Sequence, residues 1–108
     1  MYSEPTHFAV TVAPVARTTV VTVAGELDIA TGPLLGAMLD ALNALAPTEV
    51  IFDMSRLDFV DAGGLRFVHI AALDARLAGR RVRIRNVSER LRFMLRITGV
   101  DQLAAIEP

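Results

Sequence analysis

The sequence predicts an α/β domain built on a mixed four- to five-stranded sheet, and three patterns carry that prediction. Runs of β-branched residues alternate with stretches whose apolar side chains recur at helical spacing. The breaks between them fall at glycine, proline or a capping side chain, where the backbone can change direction. The order of the pieces is β-β-α-β-α-β-α-β. Helices between the later strands imply parallel pairing with right-handed crossovers.

Taken from the N-terminus, residues 1–7 are polar, contain Pro5 and are expected to form a loose tail; one domain is expected over residues 8–108. Phe8 to Val15 and Thr18 to Val23 read as two strands of a hairpin that turns at Ala16–Arg17, with Gly25 ending the second. Thr31-Gly32-Pro33 starts a helix, because proline in the first turn lacks only an N–H that had no partner there. Its stripe is Leu35, Met38, Leu39, Leu42 and Leu45, and Pro47 stops it. Glu49 to Met54 is short, apolar and β-branched, as suits a strand covered on both faces. Asp61 opens a second helix carrying Leu65, Val68, Ala72 and Ala75, closed by Gly79. Arg81 to Arg85 alternates Arg with Val and Ile, the mark of a strand with one wet face. Ser88 caps a third helix with Leu91, Met94, Leu95 and Thr98 on its stripe, ended by Gly99, and Leu103 to Ile106 adds an edge strand.

Composition excludes several classes of function. The 108 residues fit one domain, and the absence of cysteine removes disulfides, thiol nucleophiles and thiolate metal sites together. Two histidines, His7 and His69, are too few for a zinc site without cysteine, so no metal or cofactor is expected. A net charge of −1 supplies no field toward nucleic acid or an anionic membrane. The start, MYSEPTHF, lacks the basic and apolar regions of a signal peptide, and no apolar run approaches the roughly 20 residues of a membrane span. The expected location is the cytoplasm. Arg80, Arg81, Arg83 and Arg85 read as the wet side of a strand and its approach, since stacking aromatics are missing beside them. No nucleophile–base pair stands at a recognisable spacing, so no catalytic residue is expected.

The most unusual local chemistry lies in DMSRLDFVDAGGL, residues 53–65. A strand ends, a loop passes Arg56 and Asp58, Phe59-Val60 returns to the core, and Asp61 caps a helix whose first turn is Ala62-Gly63-Gly64. Each glycine costs a helix about 1 kcal/mol relative to alanine, so two in one turn need a reason. Either the turn packs closely against a neighbour, or its bare N–H groups form an anion site or a flat docking surface. Asp28 is likewise open between two roles, a turn residue that bonds its own backbone and a carboxylate shaping a partner surface.

From about Phe8 to Ile106 the chain resembles the STAS family of anti-sigma-factor antagonists. Gly25-Glu26-Leu27-Asp28, Phe52-Asp53-Met54-Ser55 with Phe59-Val60-Asp61, and Asn86-Val87 with Thr98-Gly99-Val100 carry the resemblance. It implies the STAS fold and a protein-binding role without catalysis: the antagonist binds an anti-sigma factor with a serine-kinase-like ATPase fold and so frees a sigma factor. In the family the second helix begins Asp-Ser-Ser/Thr-Gly, and the kinase phosphorylates the hydroxyl before the glycine. By position Ala62 replaces the first Ser, Gly63 the phosphoacceptor, and Gly64 is the family glycine. The resemblance therefore implies a partner surface of Asp28, Asp61, Ala62, Gly63, Gly64, Leu65, Arg66 and Phe67 with nothing to phosphorylate at position 63. Ser55 and Thr31 are the nearest hydroxyls, and Ser55 is expected to bond locally. STAS domains also serve as ligand or nucleotide sensors and as subunits of transport assemblies, which is the alternative reading.

Overall fold

The computed structural model describes residues 8–107. The loose tail expected over residues 1–7 lies outside them. Strands β1 (Ala9–Val15) and β2 (Thr18–Leu27) form the expected hairpin, antiparallel from Ala9↔Ala24 to Val15↔Thr18. Ala16 makes the turn at φ +56°. Pro14 sits on β1, the outermost strand, where a missing N–H leaves no ladder bond unmade.

Helix α1 (Gly32–Leu45) leads to β3 (Glu49–Asp53), which lies parallel to β2. Helix α2 (Ala62–Leu77) leads to β5 (Arg81–Arg85) beside β3, and α3 (Glu89–Ile97) leads through a 3₁₀ turn at Val100–Gln102 to β6 (Ala105–Ile106). The main sheet runs β1-β2-β3-β5-β6, and β4 (Leu57–Val60) pairs with β2 outside that row. The segment 57–60, expected as a loop returning to the core, is thus a strand. Val60 is buried, but Phe59 is 40% exposed.

Two further expectations change. Gly25 does not end β2; it bends it. At φ +90° the chain accommodates a register shift between Gly25 and Glu26, and the strand continues to Leu27. Leu45 lies on the predicted stripe yet is exposed, in the last turn of α1 just before Ala46 closes it in the left-handed region. The final edge strand begins at Ala105, since Leu103 still belongs to the 3₁₀ turn's end.

The core lies between the sheet and the helices, with Val21, Val23, Val50, Phe52, Val82 and Ile84 supplied by the strands and Leu35, Leu65, Val68, Ala72, Leu91 and Leu95 by the helices. Alternate strand residues carry charge, as the Arg81–Arg85 pattern required. Arg83 Nε lies 3.1 Å from Glu49 Oε2, Arg83 Nη1 3.3 Å from Glu107 Oε2, and Arg85 Nη2 3.3 Å from Asp53 Oδ2. Burial pushes the Glu49 carboxyl up, but Arg83, the Thr18 hydroxyl and Arg81 outweigh it and hold it below its ordinary value. Gly79 and Gly99, each at φ +81°, end α2 and α3, a conformation that favours glycine at a helix terminus.

Candidate functional site

The residues singled out in sequence meet at one end of the sheet, where β2 and β4 finish. Gly25 N donates to Arg56 O at 3.0 Å, which ties β2 to the approach of β4. Past Leu27 the chain turns on Asp28. Its Oδ1 accepts from Ala30 N (2.9 Å) and Thr31 N (3.0 Å), while Asp28 N donates to Thr31 Oγ1 at 2.9 Å. The Thr31 hydroxyl donates in turn to Glu26 O at 2.8 Å. The Thr31 backbone N–H, ahead of those of Ala30 and of the Thr31 hydroxyl, outweighs burial and lowers the Asp28 pKa. Asp28 so bonds its own turn, and it fixes the loop that flanks the second helix.

Asp61 adopts an extended backbone and accepts from Gly64 N at 2.7 Å, which is N-capping as the sequence predicts. The two glycines that follow have different reasons to be glycine. A Cβ on Gly64 would stand 2.5 Å from the Leu27 carbonyl carbon, closer still to its oxygen, and 2.9 Å from Asp28 N. All three obstacles are backbone, so close packing of α2 on the end of β2 demands a bare Cα here. At Gly63 the nearest neighbours of a Cβ would be Asp61 Oδ1 at 3.4 Å and Ile29 Cβ at 3.7 Å, ordinary contacts. Position 63 has room for a side chain and carries none.

The eight predicted surface residues therefore divide. Ala62 and Arg66 are exposed and Gly63 is partly so. Asp28 and Asp61 hold the main chain in shape. Gly64 is buried and Leu65, at 1% exposure, belongs to the core, so the direct contact expected of these two is corrected: they set the height of α2 above the sheet. Phe67 is half-buried with its ring against Gly32, where a Cβ would fall 2.5 Å from the ring's Cγ. It joins the two helices at this end.

The sequence reading missed the most exposed apolar side chain beside Gly63, which is Ile29 at 77%. Its signal was a large hydrophobe inside a polar turn, between Asp28 and Thr31. It also missed Ile70, Leu73 and Leu77, all exposed. With Ala62 and Arg66 they recur at intervals of four, four, three and four along α2, one outward stripe opposite the buried one. The platform of Ile29, Ala62, Gly63 and Arg66 thus continues into an apolar stripe.

Beside this platform Asp53, the last residue of β3, accepts from Ser55 N (2.9 Å), Asn86 Nδ2 (3.0 Å) and Arg85 Nη2 (3.3 Å). Burial raises its pKa, but the bonds from Asn86 and Ser55 and the Arg85 charge bring the carboxyl down to about 2. Asp53 so ties the β3–β4 turn to the loop before α3, and a cleft of about 350 Å³ opens between β4 and that helix. The Ser55 backbone N–H bonds Asp53, and the Thr31 hydroxyl is taken up in its loop. Among the described residues no three metal-ligating side chains gather, and no helix is long and apolar enough to cross a membrane. What this end offers is an exposed surface, part apolar and part bare main chain.

Comparisons with known proteins agree with this architecture. A search of curated proteins gave no match. Among solved structures, an anti-sigma factor antagonist from Mycobacterium paratuberculosis is 26% identical with a TM-score of 0.76, over 99% of this chain and 91% of that one. The Bacillus cell fate determinant SpoIIAA in its phosphorylated form is 24% identical with a TM-score of 0.71, over 93% and 92% of the two chains. A sulfate transporter family protein from Wolinella succinogenes is 20% identical with a TM-score of 0.70, over 83% and 73%. The family model described as "Mlab, STAS domain" matches residues 10–106, nearly the whole chain, and the protein belongs to the STAS family.

Proposed function

We propose that this protein is an anti-sigma factor antagonist that docks on a kinase-type anti-sigma factor through Ile29, Ala62, Gly63 and Arg66, releasing a sigma factor without control by phosphorylation at position 63. The observation that carries the reading is the start of α2: an exposed platform without side chain at Gly63, with room for one, next to an exposed Ile29. The likeness to an anti-sigma factor antagonist over almost the full length supports the class of partner. Where relatives gain a doubly negative group, this chain keeps neutral main chain, so the contact is constitutive or answers to another signal. Desolvated apolar contacts next to an arginine are the kind of residue set that carries binding energy.

The test is a titration with the anti-sigma kinase recovered by affinity purification from the native cell. Gly63→Glu places a charge in a desolvated contact and weakens the complex at least tenfold, while Gly63→Ser yields a protein that the kinase phosphorylates and then releases. Unchanged affinity for Gly63→Glu moves the interface elsewhere.

A second reading, a subunit of a transport assembly, is favoured by the sulfate transporter family protein among the structural neighbours. Recovery of a transport protein in place of a kinase, with the same sensitivity to Gly63→Glu, selects it.

A further inference from the structure

Four arginines converge at the opposite end of the molecule, where β3 and β5 begin and α2 ends. Arg76 from α2, Arg80 from the turn, and Arg81 and Arg83 from β5 line a cleft of about 490 Å³, with Gly79, Val82 and Ala105 completing it and Glu49 as its one acid. Two of the guanidinium groups are fixed and, among the described residues, make no ion pair. Arg76 Nη1 donates to Leu103 O at 3.0 Å. Arg80 Nε donates to Pro47 O at 3.0 Å and Arg80 Nη1 to Asn43 Oδ1 at 3.0 Å. Every one of these acceptors is uncharged, so each bond removes side-chain freedom and leaves a full positive charge facing the cleft. Arg83 is held between Glu49 and Glu107, and Arg81, with 81% of its side chain exposed, reaches only to 4.0 Å of Glu49.

We propose that this cleft binds a phosphate monoester through Arg76, Arg80 and Arg81. Among the described residues, four arginines against Glu49 and Glu107 leave two positive charges, which match the roughly −1.5 to −2 of a monoester at neutral pH and exceed what a carboxylate or a phosphodiester brings. The planar fork of arginine suits a tetrahedral oxyanion, and side chains already pinned lose less freedom when the anion arrives. The lining contains no aromatic ring, so the cleft recognises the phosphate and not a stacked base. It lies one helix length, about 24 Å, from the platform at Gly63, and it stands whichever partner that platform takes.

The experiment is an amide and arginine-side-chain NMR titration of the full chain with glycerol 3-phosphate, with phosphatidic acid in vesicles as a second source of the same headgroup. The expected result is saturable one-to-one binding that shifts residues 76–83, and a loss of affinity of about tenfold in Arg80→Gln and in Arg81→Gln. Arg81 is so exposed that its variant keeps the fold, which guards against loss by unfolding. Binding of the soluble ester assigns a small metabolite, and binding to vesicles alone assigns a lipid headgroup. Equal shifts with acetate or with phosphatidylglycerol, a diester, overturn the proposal, as does the absence of any saturable shift or a response unchanged in both variants.

Discussion

Gly63 and Gly64 are neighbours in one helical turn, and the structure separates them by what an added methyl would meet. At Gly64→Ala the new Cβ would overlap the Leu27 carbonyl and press on Asp28 N, all backbone, so α2 must lift or the end of β2 must yield. Overpacking of a tight site costs about 1–3 kcal/mol, with the upper end expected where no side chain can swing away. A lifted helix start also weakens the 2.7 Å bond from Gly64 N to Asp61, worth about 1 kcal/mol, while alanine returns about 1 kcal/mol of helix propensity. The net is a loss of about 3 kcal/mol. At Gly63→Ala the closest approach is 3.4 Å, so only the propensity gain remains and the variant is neutral or more stable by up to about 1 kcal/mol. Urea unfolding measures both: the midpoint of Gly64→Ala falls by about 1–3 M, given slopes of about 1–3 kcal/mol per molar for small proteins, and that of Gly63→Ala holds or rises. The reasoning is refuted if Gly64→Ala unfolds with its parent, or if the two variants lose equally.

Three more outcomes follow from the same contacts. Asp53→Asn is less stable than the parent at pH 7 by about 1 kcal/mol, after discounting for solvent screening. Because the folded carboxyl titrates at about 2, below its ordinary 3.8, the stability it supplies is complete above pH 4 and fades as pH drops toward 2, where unfolding curves of parent and variant should converge. Thr31→Val removes the acceptor of Asp28 N and the donor to Glu26 O, and lowers stability by about 1–2 kcal/mol in urea unfolding at neutral pH. Leu77→Ser, at a side chain 78% exposed, changes stability by less than about 0.5 kcal/mol; a weaker complex in the partner titration shows that the docking surface runs the length of α2, and an unchanged one confines it to the helix start.

Much of this fold was legible because its punctuation is chemical. Asp61 and Ser88 cap helices through Gly64 N and Leu91 N, and Gly79 and Gly99 close helices at positive φ, each with a local cause that a sequence carries openly. The alternation of Arg81 to Arg85 likewise told the two faces of β5 apart. What escaped depends on distant pairing. The continuation of β2 beyond Gly25 exists because β4 lies alongside it, and nothing within Leu57-Asp58-Phe59-Val60 distinguishes a four-residue parallel strand from a loop with two apolar ends. A glycine in a strand marks either an end or a bend, and only the partner strand decides which. The site was legible as a segment but not as a surface. Leu65 falls on the buried stripe and Ile29 outside any stripe, so exposure, which decides which of them a partner can touch, had to wait for the packing.

The same geometry bears on how a phosphate at position 63 would act under the proposed function, and why a glycine there leaves the fold intact. A phosphate on a side chain here would stand beside Asp61, whose Oδ1 is 3.4 Å from the Cβ position. Repulsion between unit charges about 4 Å apart is about 1 kcal/mol in bulk water and about 4 kcal/mol near a protein surface, against about 0.3–1 kcal/mol gained from the helix N-terminus. The nearby N–H groups of Gly64, Ala30 and Thr31 already serve Asp61 and Asp28, so they are not free to capture the new group. On the proposed reading a phosphate would therefore be held out toward the partner and act on the complex, without reorganising the chain that carries it. A glycine at 63 removes that repulsive element alone: Asp61 still caps α2, Gly64 still seats it on Leu27, and the loop of Asp28 and Thr31 still presents Ile29.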